Sequence, residues 1–200
     1  MDDARPANVK LTWLDLHYST SGRHGGVHNC FFGGSLRSAL TFLANAEIVV
    51  YLDDDDWLHE NHLAQILKAI EGKKWAFAYS MYADGNTGSP LCVDEIESVG
   101  VNKGIFKDNF GGFVRPSGMA INKMKLLHFI HLWSCSPFPT GDGEDRLVFD
   151  RLRKEEHACT GNATVYYALD PLDGNHGVRL AFMKSKGVEF TATTKAGSVR

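Results

Sequence analysis

The chain lacks most of the signals that would announce a familiar chemistry. Its four cysteines, Cys30, Cys92, Cys135 and Cys159, lie far apart and form no Cys-x-x-Cys pair. That spacing argues against a zinc knot and suits reduced thiols, so a cytoplasmic protein is the expectation. No apolar run approaches the roughly 18 residues that span a bilayer. The acidic, polar stretch "MDDARPANVK" does not read as a secretory leader. Positive charge is not in excess: 21 Lys and Arg against 24 Asp and Glu leave a net charge of −3, with pI ≈ 6.3. Without a basic stripe, nucleic acid is not an expected partner. There is no Gly-x-x-x-x-Gly-Lys-Ser/Thr, no Gly-x-Gly-x-x-Gly after a strand and no Gly-x-Ser-x-Gly. These gaps exclude a P-loop NTPase, leave a dinucleotide-binding Rossmann domain unsupported, and remove the hydrolase nucleophile elbow.

What is present is an ordinary globular composition, 44% hydrophobic and 22% charged over 200 residues. It is ample for one domain and carries no internal repeat and no linker. "NVKLTWLDLHYS" alternates like a strand, and "TSGRHGGVHNCFFGG" reads as a glycine-rich loop. "SLRSALTFLANA" has helical spacing, with Leu36, Leu40 and Leu43 on one face and Ser35 as N-cap. "EIVVYL" is the kind of apolar run expected of a strand buried on both faces of a mostly parallel sheet. A helix over 60–71, carrying Leu63, Ile66, Leu67 and Ile70, and a strand at "KWAFAYSMYA" follow. Residues 83–112, rich in Gly, Asn, Asp and Ser, read as a long mobile segment. A strand at "GMAINK", a helix at "KLLHFIHLW", a strong helix at "EDRLVFDRLRKEE" and a strand at "ATVYYAL" complete an alternating α/β pattern.

Four consecutive acids, Asp53 to Asp56, end the "EIVVYL" strand, and Trp57 follows them. On an extended backbone Asp53 and Asp55 would point to one side, Asp54 and Asp56 to the other. Two carboxylates about 6 Å apart repel by roughly 3 kcal/mol at an effective dielectric of 20. A hard divalent cation reverses that penalty, because Mg²⁺ and Mn²⁺ take one or two carboxylates together with substrate phosphates. A solvated acidic turn is the competing reading. A second acidic site, "TGDGEDRLVFDRLRK", puts Glu144 and Asp145 in the first turn of a helix with Asp142 as candidate N-cap. Those acids either complement the helix dipole or supply a general base. His176, in "DPLDGNHG", is a metal ligand or a solvated loop histidine. Arg37 is a diphosphate clamp or a surface arginine. The pairs His59/His62, His128/His131 and His24/His28 read as surface histidines.

"SLRSALTFLANAEIVVYLDDDDW" and, about 90 residues on, "GEDRLVFDRL" together resemble the family-2 inverting glycosyltransferases of GT-A fold. Arg37 matches the family's arginine, with Ser38 where asparagine is usual. Asp53, Asp55 and Asp56 match the Asp-x-Asp-Asp block, Glu144 and Asp145 the acceptor-side Glu-Asp, and Arg151-Leu152 its tail. The resemblance covers residues 34 to about 155. It implies transfer of a sugar from a nucleotide-sugar donor to a hydroxyl of a saccharide, lipid or protein acceptor. Asp55 would hold Mn²⁺ or Mg²⁺, and Asp53 would contact the donor ribose or the metal's water shell. Asp145 would be the base, Glu144 would orient the acceptor, and His176 would add a metal ligand. Asp54, Arg37 and Trp57 join Asp53 as substrate-binding candidates. Only 52 residues precede Asp53, fewer than the β–α units such enzymes place there. The expected architecture is therefore an N-terminally truncated GT-A-like domain, with 1–58 the residual nucleotide and metal side and 59–200 the acceptor side. A homo-oligomer in which a second chain completes the nucleotide side fits that expectation. The competing functions are an inactive relative that only binds, and a Ca²⁺-stabilised or simply acidic α/β protein.

Overall fold

The computed structural model describes residues 9–191. Helix α1 (Gly34–Leu43) leads into strand β1 (Ile48–Val50), and β2 (Trp57–Leu58) precedes α2 (His62–Ile70). Then come β3 (Trp75–Ala83), β4 (Pro90–Val93), β5 (Gly100–Val101), α3 (Lys107–Phe110), β6 (Gly112–Phe113) and β7 (Met119–Asn122). A 3₁₀ segment (Leu127–Ser134), α4 (Glu144–Leu152), β8 (His157–Ala168) and α5 (His176–Ser185) follow.

Six strands form the main sheet in the order β1-β7-β3-β8-β2, with β4 also paired to β3. Since β8 runs along one edge of β3, β7 and β4 share the other, β7 against its first half and β4 against its second. The class is α/β, but the sheet is mixed: β3 with β8 is parallel, and the remaining pairings are antiparallel. β1 is an edge strand whose three residues are half-buried, not a strand buried on both faces, and an apolar run such as "EIVVYL" carries no information on strand direction. Direction comes from connections, and the tight turn between β3 and β4, closed by Asp84 N–H to Ser89 O at 3.0 Å, forces an antiparallel hairpin.

β3 is the spine. Its alternation sends Trp75 and Phe77 to one face and Ala76 to the other, and β7 does the same with Met119 and Ile121 against Ala120. On the first face Trp133, Val148, Phe149 and Leu152 complete the core, so α4 and the 3₁₀ segment cover it. On the second, Ile66 and Ile70 bring α2 down over Ala76 and Ala120. A third cluster packs Met183 of α5 on Tyr82 and Leu169.

Several expectations fail for stated reasons. No strand forms over the described part of "NVKLTWLDLHYS" (residues 9–19), where Trp13 and Tyr18 stay exposed. On α1 the buried face is Gly34, Ser38 and Thr41, while Leu40 and Leu43 face outward. Ser38 Oγ donates to Ile130 O at 2.8 Å, and a Cβ at Gly34 would come 1.9 Å from Trp133 O. Only small residues let the 3₁₀ segment approach that closely. Gly33, left-handed at φ 74°, starts α1, and Ser35 instead bonds Thr20 at 2.8 Å. On α2, His62 is fully buried and bonded to Thr164 at 2.8 Å, while Leu63 and Leu67 are exposed.

Residues 83–112 are ordered rather than mobile. Asp94 is their anchor: its carboxylate accepts the N–H groups of Ile96, Glu97 and Ser98 and the Tyr82 hydroxyl. Arg115 pairs with Asp94 at 2.6 Å and with Glu97, and Arg179 of α5 reaches Glu97 at 2.9 Å. Arg179 also meets Asp173 at 3.0 Å, an ion pair whose angle does not make a hydrogen bond. All four groups around Glu97 and Asp94 are buried. Breaking such a pair from one side costs about 3–5 kcal/mol, so this charge lattice locks α5 and the 94–115 segment to the sheet.

Candidate functional site

β1 runs beside β7, and the pairing continues one residue further through Tyr51 N–H to Met119 O at 3.0 Å. The acids therefore emerge at the carboxyl end of β1, the end where ligands bind in open α/β sheets. They are not extended. Asp54 and Asp55 occupy a turn whose closing bond is Asp56 N–H to Asp53 O at 3.3 Å. The expected two-and-two alternation is replaced by a different division of labour. Asp54 and Asp55 are exposed at the tip, Asp53 is half-buried, and Asp56 is buried. Asp56 Oδ1 accepts the Ala168 N–H at 3.1 Å, which ties the turn to β8. Burial pushes the Asp56 carboxyl up to about 6, against the opposing effects of the Ser117 hydroxyl and the Ala168 amide.

Asp53 is held from two sides. Its N–H donates to Ser117 Oγ at 3.0 Å, and its carboxylate takes Arg37 Nη2 at 2.5 Å. The Arg37 guanidinium lies over the Trp133 ring, 4.9 Å from the centroid. Trp133 Nε1 in turn donates to the Tyr51 hydroxyl at 3.1 Å, which shares a 3.1 Å bond with Thr41. Arg37 is thus fixed between an aromatic face and a carboxylate, and it is not a loose surface arginine. Trp57 opens β2 and stacks on Tyr166, with centroids 5.7 Å apart and planes 17° from parallel.

Gly143, left-handed at φ 82°, starts α4 in place of the expected Asp142 cap, whose carboxylate accepts the Thr140 hydroxyl instead. Leu152 O receives the Trp75 indole N–H at 2.7 Å, and with Val148, Phe149 and Leu152 in the core, α4 holds its first turn rigidly. Glu144 is buried, its Oε2 has no hydrogen-bond partner among the described residues, and burial, aided by Asp145, pushes its pKa up to about 7. Asp145 is half-buried, with one oxygen accepting the Arg146 N–H at 2.7 Å. Its pKa is raised, first by burial and also by the Asp53 charge, while Arg146 and Arg37 pull the other way. Arg37 and Asp53 are thereby within electrostatic reach of Asp145, although about 90 residues of chain separate the two acidic motifs.

His176 is the first residue of α5, and its Nδ1 is buried without a hydrogen-bond partner among the described residues. Among the described residues, no three His, Cys, Asp or Glu side chains gather as a metal-holding group. The set Asp53, Asp55 and His176 is therefore not assembled as such. Trp133 and Ser117 were not legible as site residues. Trp133 lies in an apolar run, and the only signal at Ser117 is its place in the turn "RPSG" before β7.

No protein-family model matches the chain, and no curated protein matches it. None of the helices among the described residues is long and apolar enough to cross a membrane.

Proposed function

We propose that the chain transfers a sugar from a nucleotide-sugar donor to an acceptor hydroxyl with inversion, on a GT-A-like framework. The observation that carries this reading is the meeting of the two acidic motifs: Arg37 bonds Asp53, and both act on the charge of Asp145. A donor-side clamp and an acceptor-side base then share one electrostatic neighbourhood, which a single displacement would use. Asp145 takes the proton of the acceptor hydroxyl. The acceptor oxygen forms its bond to the anomeric carbon as the bond to the donor phosphate breaks, and the nucleoside diphosphate leaves with the electron pair. Glu144, with one buried and unpaired oxygen, orients the acceptor from the same helix turn.

Mn²⁺ or Mg²⁺ would be held at the 53–55 turn, since such ions take one or two carboxylates and complete their shell with phosphate oxygens and water. Asp55 and Asp53 are the proposed ligands. The unpartnered Nδ1 of His176 suits a ligand, but no three-residue group joins it to them. When bound, the ion would neutralise charge on the departing diphosphate. Arg37, charge-assisted toward phosphate or carboxylate, and Trp57 frame the donor.

Asp145→Asn tests the base. Transfer is expected to fall by about 10²–10⁴-fold while nucleoside diphosphate affinity changes little. Transfer at the parent rate would refute the assignment.

A further inference from the structure

A cleft of ≈ 490 Å³ opens between α3 and the outward face of α4. Its size is in the range of small-molecule pockets, roughly 300–1,000 Å³. Two aromatic rings, Phe110 and Phe138, share its wall with Lys107, Arg146 and Arg153, with the carboxylates of Asp108 and Asp150, and with Asn102 and Asn109. The cations are not equivalent. Arg153 is already committed, since its Nε and Nη2 bond Asp150 at 3.0 and 2.9 Å. Arg146 is shelved instead on aromatic faces, 4.7 Å from the Phe110 centroid and 5.5 Å from that of Phe106. Among the described residues no carboxylate is hydrogen-bonded to its guanidinium, so the flat N–H fork is presented rather than consumed. Phe138 leans on the start of α4, where a Cβ at Gly143 would come 2.7 Å from its ring.

We infer that this cleft is a binding site for an anionic saccharide, a sugar bearing a carboxylate or a phosphate. The inference goes beyond the transferase reading and stands apart from it, because none of Asp53, Glu144 and Asp145 lines the cleft. Asp145 immediately precedes Arg146 in α4, but successive helical residues project about 100° apart. The guanidinium takes the anion through two parallel N–H bonds, which are roughly twice as strong as neutral ones. The Asn102 and Asn109 amides, each both donor and acceptor, match sugar hydroxyls, and the Phe138 ring offers apolar contact to a sugar face. A neutral sugar would fill the same space and leave the fork unpaired.

The test titrates the full chain, followed by NMR, with a glucuronate-terminated disaccharide, glucose 6-phosphate and the neutral disaccharide cellobiose. The anionic probes are expected to bind at least about tenfold tighter than cellobiose, a difference of about 1.4 kcal/mol. Which anionic probe binds tighter identifies carboxylate or phosphate as the group recognised. Arg146→Gln should erase the preference, and Lys68→Gln, on the exposed side of α2, should keep it. Equal binding of charged and neutral probes, no binding of either anion, or a preference surviving in Arg146→Gln overturns the proposal. The probe comparison on the natural chain decides even where the variant does not fold. A parallel titration with UDP and GDP in the presence of Mn²⁺ separates the two claims. Nucleotide binding without anionic-sugar binding removes the cleft assignment alone, and the reverse result removes the transferase reading while the anion cleft stands.

Discussion

Glu144 and Asp145 are neighbours in sequence with different surroundings, and the difference has a measurable consequence. Glu144 is 2% exposed with its pKa raised to about 7 from an ordinary carboxyl value of 4.5. The folded protein therefore holds this proton more tightly than the unfolded chain does. Between pH about 4.5 and 7 the native state binds more protons, so Glu144's contribution is fully favourable below that window and is lost as pH rises through it. Glu144→Gln should flatten this fall, worth of the order of 3 kcal/mol, in urea unfolding compared at pH 5 and pH 8. An unchanged pH slope in the variant would show that the buried carboxylate is not the source. The acids at 53–56 and 144–145 could be picked out of the sequence because runs of charge beside apolar stretches are visible there. Their individual duties could not. Asp56 differs from Asp55 by one position, yet one ties the turn to β8 through the Ala168 amide and the other stands exposed at the tip.

α1 shows where a hydrophobic pattern misleads. Its leucines at 36, 40 and 43 have the spacing of a buried stripe, but the core takes the opposite face because the 3₁₀ segment must come close. Contact there is made by backbone and small polar groups, which no hydrophobic pattern encodes. Gly34→Ala tests this directly. In a free helix the change gains about 1 kcal/mol, whereas here the added Cβ would press on the Trp133 carbonyl, a clash costing about 1–3 kcal/mol or more. A net loss of roughly 2 kcal/mol lowers the melting temperature by about 4–8 °C. A variant that melts higher than the parent would contradict the close approach. Elsewhere the elements followed their patterns well. β3, β7 and α4 fall within the expected stretches, because their apolar residues are the ones the core uses, whereas β8 begins at His157, six residues before the expected "ATVYYAL". The 83–112 segment escaped because Asp94, besides taking the local amides of 96–98, is tied to Tyr82 and Arg115, partners set by tertiary position rather than by local spacing.

At the scale of the molecule, the sheet brings together two acidic motifs that the chain keeps far apart. β1 delivers one, α4 the other, and Arg37 on α1, stacked on the Trp133 ring, bonds Asp53 and acts on the charge of Glu144 and Asp145. The buried lattice of Arg115, Arg179, Asp94 and Glu97 holds α5 and the 94–115 segment in place around the same sheet. The alternating α/β order was readable from the sequence, whereas the mixed strand directions were not, since apolar strands look alike whichever way they run. Everything functional depends on the Asp53–Asp55 turn binding a divalent cation that in turn holds a nucleotide. The most direct measurement is thermal stabilisation of the full chain by UDP and GDP, each with and without Mn²⁺. The account predicts stabilisation that requires nucleotide and Mn²⁺ together and disappears in Asp55→Ala. Stabilisation by nucleotide that ignores Mn²⁺, or none with any combination, would contradict it.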